Sequence, residues 1–223
     1  MPAIAGVAKY IGDVVGAEYV AGLWKSDLFI ELIWTTDPKV GSLTSLLSVL
    51  NPEFSTYITP SWSWARYLSP HGLSFFFHGA KIESLRPEAG FEVSMSRSGP
   101  SFYGRVLDGQ LTLSTRVVSL ESHQSMYHSP LPRSNMSVHA GQTHPSYILD
   151  CDDVDNRAVS QLELALVGSF TELSGKQRRY YGLIICPSHI PSRYYRVGIF
   201  VGSEINRDES IFNQTQMRKI VVI

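Results

Sequence analysis

Beyond Pro60 the chain is cut by turn residues into short runs rich in branched and aromatic side chains, a pattern that long helices cannot accommodate. The runs are LSFFFHGAKIESL (73–85), SFYGRVLDGQLTLSTRVVSL (101–120), SYILDC (146–151), SQLELALVGSF (160–170), RRYYGLIICP (178–187), RYYRVGIFVGS (193–203) and MRKIVVI (217–223). Val, Ile, Tyr and Phe suit pleated, half-buried surfaces, and breaks of this kind close hairpins. Asp108-Gly109 stands between two apolar stretches and is a strong two-residue hairpin signal. The expected fold is mainly β, of the α+β class. It is an antiparallel barrel or sandwich over residues 60–223, carrying the helices of an N-terminal segment, 1–50, within one domain.

The N-terminal segment has helical spacing. Ile4, Val7, Ala8 and Ile11 recur on one face, and Tyr19, Val20, Leu23 and Trp24 repeat the pattern. Ser26 reads as an N-cap and Asp27 as an acidic first-turn residue for a short helix through DLFIELIW (27–34). SLTSLLSVL (42–50) reads as a further short helix stopped by Asn51-Pro52. Residues 121–146 are polar and hold His123, His128, His139 and His144 without a sustained apolar pattern. They are expected to form a long loop, which in a compact domain is a functional lid or a disordered segment.

Charge and motif content narrow the function. Nineteen basic against twenty acidic residues, with no basic block, argue against a nucleic-acid partner. Lys9, Asp13 and Glu18 interrupt the apolar N-terminus, and no run reaches spanning length, so a cytoplasmic chain without a membrane is expected. Cys151 and Cys186 lack CxxC spacing and read as reduced core thiols. There is no P-loop, dinucleotide fingerprint or G-x-S-x-G elbow, and the histidines lack ligand spacing. No cofactor and no metal are expected.

PSWSWA (60–65) holds the main candidate site residues. Pro60 favours extended backbone, which would put Trp62 and Trp64 side by side on one face. The pair either fills a core or walls a pocket, with Trp24 joining it in both cases, and core packing is the weightier reading. In SFFFHGA, His78 shares a face with Phe76, and a histidine among aromatics is readily tuned for acid–base work. Arg66, two residues past Trp64, is a second candidate to polarise a carbonyl. One of Tyr180 and Tyr181 must face inward on a strand.

Three segments, in order, resemble the region that follows the N-terminal domain of fungal heterokaryon-incompatibility (HET) proteins. AEYVAGLWKSDLFIELIW (17–34) is similar to the family's GLW-x-x-DL…LLW segment, and TPSWSWA (59–65) to its APSWSWAS turn. YYGLIICP (180–187), RYYRVGIFVGS and MRKIVVI resemble its terminal strands. FYGRVLDGQLTLSTRVV (102–118) also resembles the family's G-x-V-x-x-G-x-L-x-L strand pair, and ILDCDDVDN (148–156) its acidic turn. The name-giving domain, related to TIR domains, is not in this sequence, and RYLSPHGLSFFF (66–77) stands where the family commonly has Ser-Val-Asp-Gly. A stand-alone module is expected. Its preferred reading is a cofactor-free cyclase or isomerase, such as a Diels–Alderase, acting on a hydrophobic metabolite in a fungal biosynthetic pathway. An aromatic pocket would hold the near-attack conformer. The alternative, which the resemblance implies, is a non-catalytic interaction module that recognises a partner protein.

Overall fold

A computed structural model describes residues 2–36, 39–53, 59–66, 74–75, 82–97, 106–127, 145–154, 156–172, 178–203 and 211–223. The N-terminal segment contains α1 (Pro2–Val15), β1 (Tyr19–Val20), β2 (Leu23–Trp24), α2 (Leu28–Glu31), β3 (Trp34–Thr35), β4 (Val40–Ser42) and α3 (Leu43–Leu50). Next come β5 (Ser74–Phe75), β6 (Arg86–Pro87), β7 (Gly90–Arg97), β8 (Val106–Ser119) and α4 (Leu120–Tyr127). The chain continues through β9 (Ser146–Leu149), β10 (Cys151–Asp153) and α5 (Asn156–Val159). It ends with β11 (Glu163–Thr171), β12 (Arg178–Pro187), β13 (Arg193–Ser203) and β14 (Met217–Val222). Among the described residues no helix is long and apolar enough to cross a membrane.

The chain is mainly β, and its principal sheet closes on itself. β11, β12 and β13 run antiparallel in sequence order. β13 pairs with β14 in parallel through Arg193↔Val221 and Tyr194↔Val222. β14 pairs antiparallel with β8, from Met217↔Arg116 to Val222↔Leu111. β8 then returns to β11 through Glu163↔Ser119, Leu164↔Val118 and Ala165↔Val117. The path β8–β11–β12–β13–β14–β8 is a ring of five strands, extended at its edges by β7, β6 and β9. The sheet is mixed rather than purely antiparallel because β14 re-enters beside β13 after a crossover, which a tight hairpin cannot supply.

Both faces of the central strands are covered. Leu111, Leu113, Ala165, Val167, Tyr181, Leu183, Ile185, Ile199, Val201, Ile220 and Val222 meet inside the ring. Val20, Leu23, Leu28, Leu32, Ile33 and Trp62 join that cluster, so the N-terminal segment closes the interior. On the outer face, Leu164, Ile184, Cys186, Val197 and Phe200 lie under Leu43, Leu46 and Leu50 of α3 and Leu120 of α4. This double cover explains why β12 is buried continuously from Arg179 to Cys186 instead of alternating. β4 pairs in parallel with β10, which ties the first 50 residues into the β domain.

Several local expectations change. Residues 19–24 form a hairpin rather than a helix, with Tyr19↔Trp24 and Val20↔Leu23 paired. Its turn places Ala21 at φ 50° and Gly22 at φ 99°, a left-handed geometry that glycine takes without strain. Asp27, not Ser26, occupies the cap position of α2, and its side chain makes no capping bond. α3 starts as its sequence predicts, with Ser42 Oγ accepting from Ser45 N at 3.1 Å. The polar stretch expected to be a loop begins as α4; residues 128–144 lie outside the described residues. Asp108-Gly109 is not a turn: it lies within β8, opposite Ser96 and Met95. A Cβ at Gly109 would stand 2.4 Å from Pro60 Cγ, so this glycine serves close packing. Gly109→Ala is therefore expected to cost about 1–3 kcal/mol of stability by overpacking, read as a lower urea midpoint with an unchanged slope. An unchanged midpoint would mean that Pro60 yields freely.

Candidate functional site

The PSWSWA motif is a clamp, and its serines share the task with its tryptophans. Ser61 and Trp62 lie in a turn, and residues 64–66 form a 3-10 helix, so the two indoles do not share one extended face. Backbone hydrogen bonding drives this departure: Ser63 N donates to Pro60 O at 3.1 Å, which curls the segment. Trp62 is fully buried in the core. Trp64 is half-buried, and its Nε1 donates to Gly22 O at 2.7 Å. Ser63 Oγ donates to Ala21 O, so adjacent motif residues hold the β1–β2 turn. Ser61 N donates to Ile223 O at 3.1 Å, and Ser61 Oγ donates to the same oxygen while accepting from Arg196 N at 2.9 Å. Arg66 is also buried, its Nη1 donating to Thr59 O at 2.7 Å and its Nη2 to Val49 O.

Beneath the motif lies a buried ion pair. Arg196 of β13 and Asp150, between β9 and β10, have side chains 0% and 1% exposed. Arg196 Nη1 donates to Asp150 Oδ2, and Nη2 donates to Trp34 O. The guanidinium carbon stands 3.4 Å from the centroid of the Trp34 ring, a desolvated cation–π contact. Trp34 Nε1 in turn donates to Trp62 O at 3.1 Å. Burial raises the Asp150 carboxyl above its ordinary range, with the Arg196 charge and hydrogen bond and the Lys39 charge pulling it back. Charged residues at buried positions of RYYRVGIF and ILDC were the available sequence signal for this pair.

A second polar group is enclosed by aromatics. α4 carries His123 to full burial, where the sequence had suggested a solvated loop. Its Nδ1 lies 2.6 Å from Tyr147 Oη and its Nε2 3.1 Å from Tyr180 Oη. The rings of Phe200 and Phe212 pack at centroid distances of 6.1 and 5.7 Å. Burial depresses its pKa to about 4, so the imidazole is neutral near pH 7 and bridges the two phenols.

The structure therefore separates the sequence-predicted site residues. Trp62, Trp64 and Arg66 gather in the clamp, and the hairpin carrying Trp24 joins it through Gly22. Trp24 is half-buried, edge-on to Tyr19 at 5.1 Å. Tyr181 faces the ring interior, while Tyr180 faces outward to His123. Phe76 and His78 lie outside the described residues. Among the described residues no three His, Cys, Asp or Glu side chains gather as metal ligands. The chain matches no family model, no curated protein and no solved structure.

Arg196→Met leaves the Asp150 carboxyl buried without its cation and is expected to cost about 3–5 kcal/mol. Adding Asp150→Leu should recover much of that loss in thermal unfolding. Equal stability of the single variant and the parent would place water at the pair. For His123, the pKa lies at 6.5 in the unfolded chain and about 4 in the fold. Above pH 6.5 both states are neutral; below it the unfolded chain binds the proton first. Stability should fall by up to about 1.4 kcal/mol per pH unit from pH 6.5 down to about 4. His123→Gln should remove that slope, and a parent-minus-variant difference flat over this window would refute the depressed pKa.

Proposed function

We propose that the chain is a non-catalytic interaction module, as its resemblance to HET proteins implies. In this reading α1 is the arm that engages an apolar helix of a partner domain. The observation that carries it is the outward face of α1. Val7, Tyr10, Val14 and Val15 are 60–73% exposed and Ile11 is 39% exposed, whereas Ala8 and Gly12 are buried. Apolar side chains gathered this densely on one exposed face are the mark of an interaction site. Positions 7, 10, 11 and 14 have the spacing of a heptad seam, which packs into a matching helix.

A helix lying on a lipid surface would carry a basic polar face. Instead, Lys9 of α1 is already paired with Asp13 at 2.6 Å. A 14-residue helix also offers much less than the about 800 Å² per partner of a standard interface. The helix thus suits one arm of a wider contact with a partner domain better than a self-sufficient dimer of this chain. In HET proteins an effector domain precedes this region, so a domain of that kind is the natural partner.

The cyclase or isomerase reading has less to draw on. Trp62 is sealed in the core, Arg66 commits both terminal nitrogens to backbone carbonyls, and Tyr181 lies inside the ring. For the cellular setting, Cys151 and Cys186 are free and buried, with thiols raised by burial to about 12 and about 11. Inert core thiols support a reducing, cytoplasmic environment.

Titrating the full chain with a synthetic Leu/Ile peptide of about three heptads tests the α1 reading. Saturable binding with shifts at α1 amides is expected. Val7→Glu with Val14→Glu should weaken it about tenfold or more, with Tm unchanged because both positions are exposed. Equal binding by the double variant, or no binding by the parent, would overturn the proposal. A parent that sediments as an α1-mediated dimer would replace the partner domain with a second copy.

A further inference from the structure

Three strands extend the sheet beyond its closed ring, and they end it in different ways. β6 is two residues long, and all four residues of β9 are buried. β7 runs for eight residues and pairs with β8 without a break from Gly90↔Ser114 to Ser96↔Asp108. Away from β8, the backbone of residues 90–96 makes no hydrogen bond to any described residue. Such an edge holds a row of N–H and C=O groups that another strand can take up. The devices that usually guard an edge are sparse here. β7 has no proline and no lysine, and its bulge comes only at its end, between Ser96 and Arg97.

The side chains of β7 alternate. Phe91, Val93 and Met95 are partly buried against the cluster that fills the ring, while Gly90, Glu92, Ser94 and Ser96 are exposed on the other face. Glu92 is the one charged residue on that exposed face of β7, held loosely by Lys219 of β14 at 3.4 Å. Laid antiparallel against itself about a two-fold axis at Ser94, this strand is self-complementary. Val93 meets Met95 of the second copy, so the apolar row continues across the junction. Ser94 meets its own counterpart, and each Glu92 meets Ser96, which keeps the two carboxylates roughly 14 Å apart along the strand. Phe91 meets the stem of Arg97, whose Nη2 stays on Tyr19 O at 3.2 Å. Moving the axis to Val93 would bring the two carboxylates to diagonal positions, where like charges repel. A slip of one residue would set the apolar row against the polar one.

We propose that β7 binds a second copy of this chain, edge to edge and antiparallel about Ser94, so that two sheets join into one. Main-chain hydrogen bonds supply the attraction, and the apolar row with its separated carboxylates sets the register. A single strand pair buries less than the about 800 Å² per partner of a standard interface, so the dimer is weak and depends on concentration. This contact is independent of α1 and its partner.

Sedimentation of the full chain from about 10 µM to about 1 mM tests the proposal, with half of it dimeric expected at about 100 µM. Ser94→Lys and Ser94→Glu each set like charges directly opposite at the axis and should weaken the dimer about fivefold or more. An equimolar mixture of the two variants sets opposite charges there and should regain at least the parent's affinity, which a folding defect could not produce. In the parent, amides within residues 90–96 should gain protection from hydrogen exchange as concentration rises, a readout that needs no variant. A parent monomeric at about 1 mM, or protection independent of concentration, would overturn the proposal. Either variant dimerising as tightly as the parent, or a mixture no tighter than its components, would do the same. A dimer dissociated by Val7→Glu with Val14→Glu, and not by the Ser94 changes, would assign the contact to α1 and overturn the β7 edge.

Discussion

A full positive charge sits in the interior of this protein, and much of the fold is arranged around it. Arg196 is tolerable there because Asp150 supplies the counter-charge, Trp34 O takes a second N–H, and the Trp34 ring covers the guanidinium. Replacing such a pair with well-packed apolar residues is often neutral, whereas removing one partner is costly. The importance of the pair is thus geometric. It brings β3, the β9–β10 corner and β13 to one point, and Ser61 adds the C-terminal residue Ile223 to the same cluster. A register slip in any of these segments would strand a charge in a medium that cannot solvate it.

The interior of the ring and the outer face of its central strands are both packed. Residues from all five strands pack the interior, and the segment containing Val20, Leu28 and Trp62 packs onto the same cluster. The outer face of β11–β13 is taken by α3 and α4. Among the described residues, α1 keeps an exposed apolar seam, and the edge of β11 changes partners from β8 to β6.

The strands were legible because their cause is local. Branched and aromatic residues in runs such as RRYYGLIICP and RYYRVGIFVGS suit only a pleated, buried setting, whichever neighbours they meet. The 19–24 hairpin was not, because two-residue strands are too short for period two to be told from the helical period. Gly109 was misread because a turn and a close approach make the same demand on sequence, and only the position of Pro60 separates them. His123 was placed in solvent because its burial depends on where α4 docks, which no pattern in ESHQSMY expresses.

The same division holds for the motif that drew most attention. Sequence alone determined that PSWSWA is not a helix interior, that the chain is mainly β with helices on it, and that Tyr180 and Tyr181 point to opposite faces. These follow from Pro60, from side-chain chemistry and from the alternation of a strand. Only the tertiary structure decided that Ser61 joins β13 to the C-terminal residue, that Ser63 and Trp64 hold the turn at Gly22, and that Arg196 meets Asp150. Those partners lie between 42 and 162 residues apart along the chain, beyond the reach of any local pattern. Long-range hydrogen bonds between buried groups are chosen when the chain closes on itself, because only there must each buried donor and charge find its match.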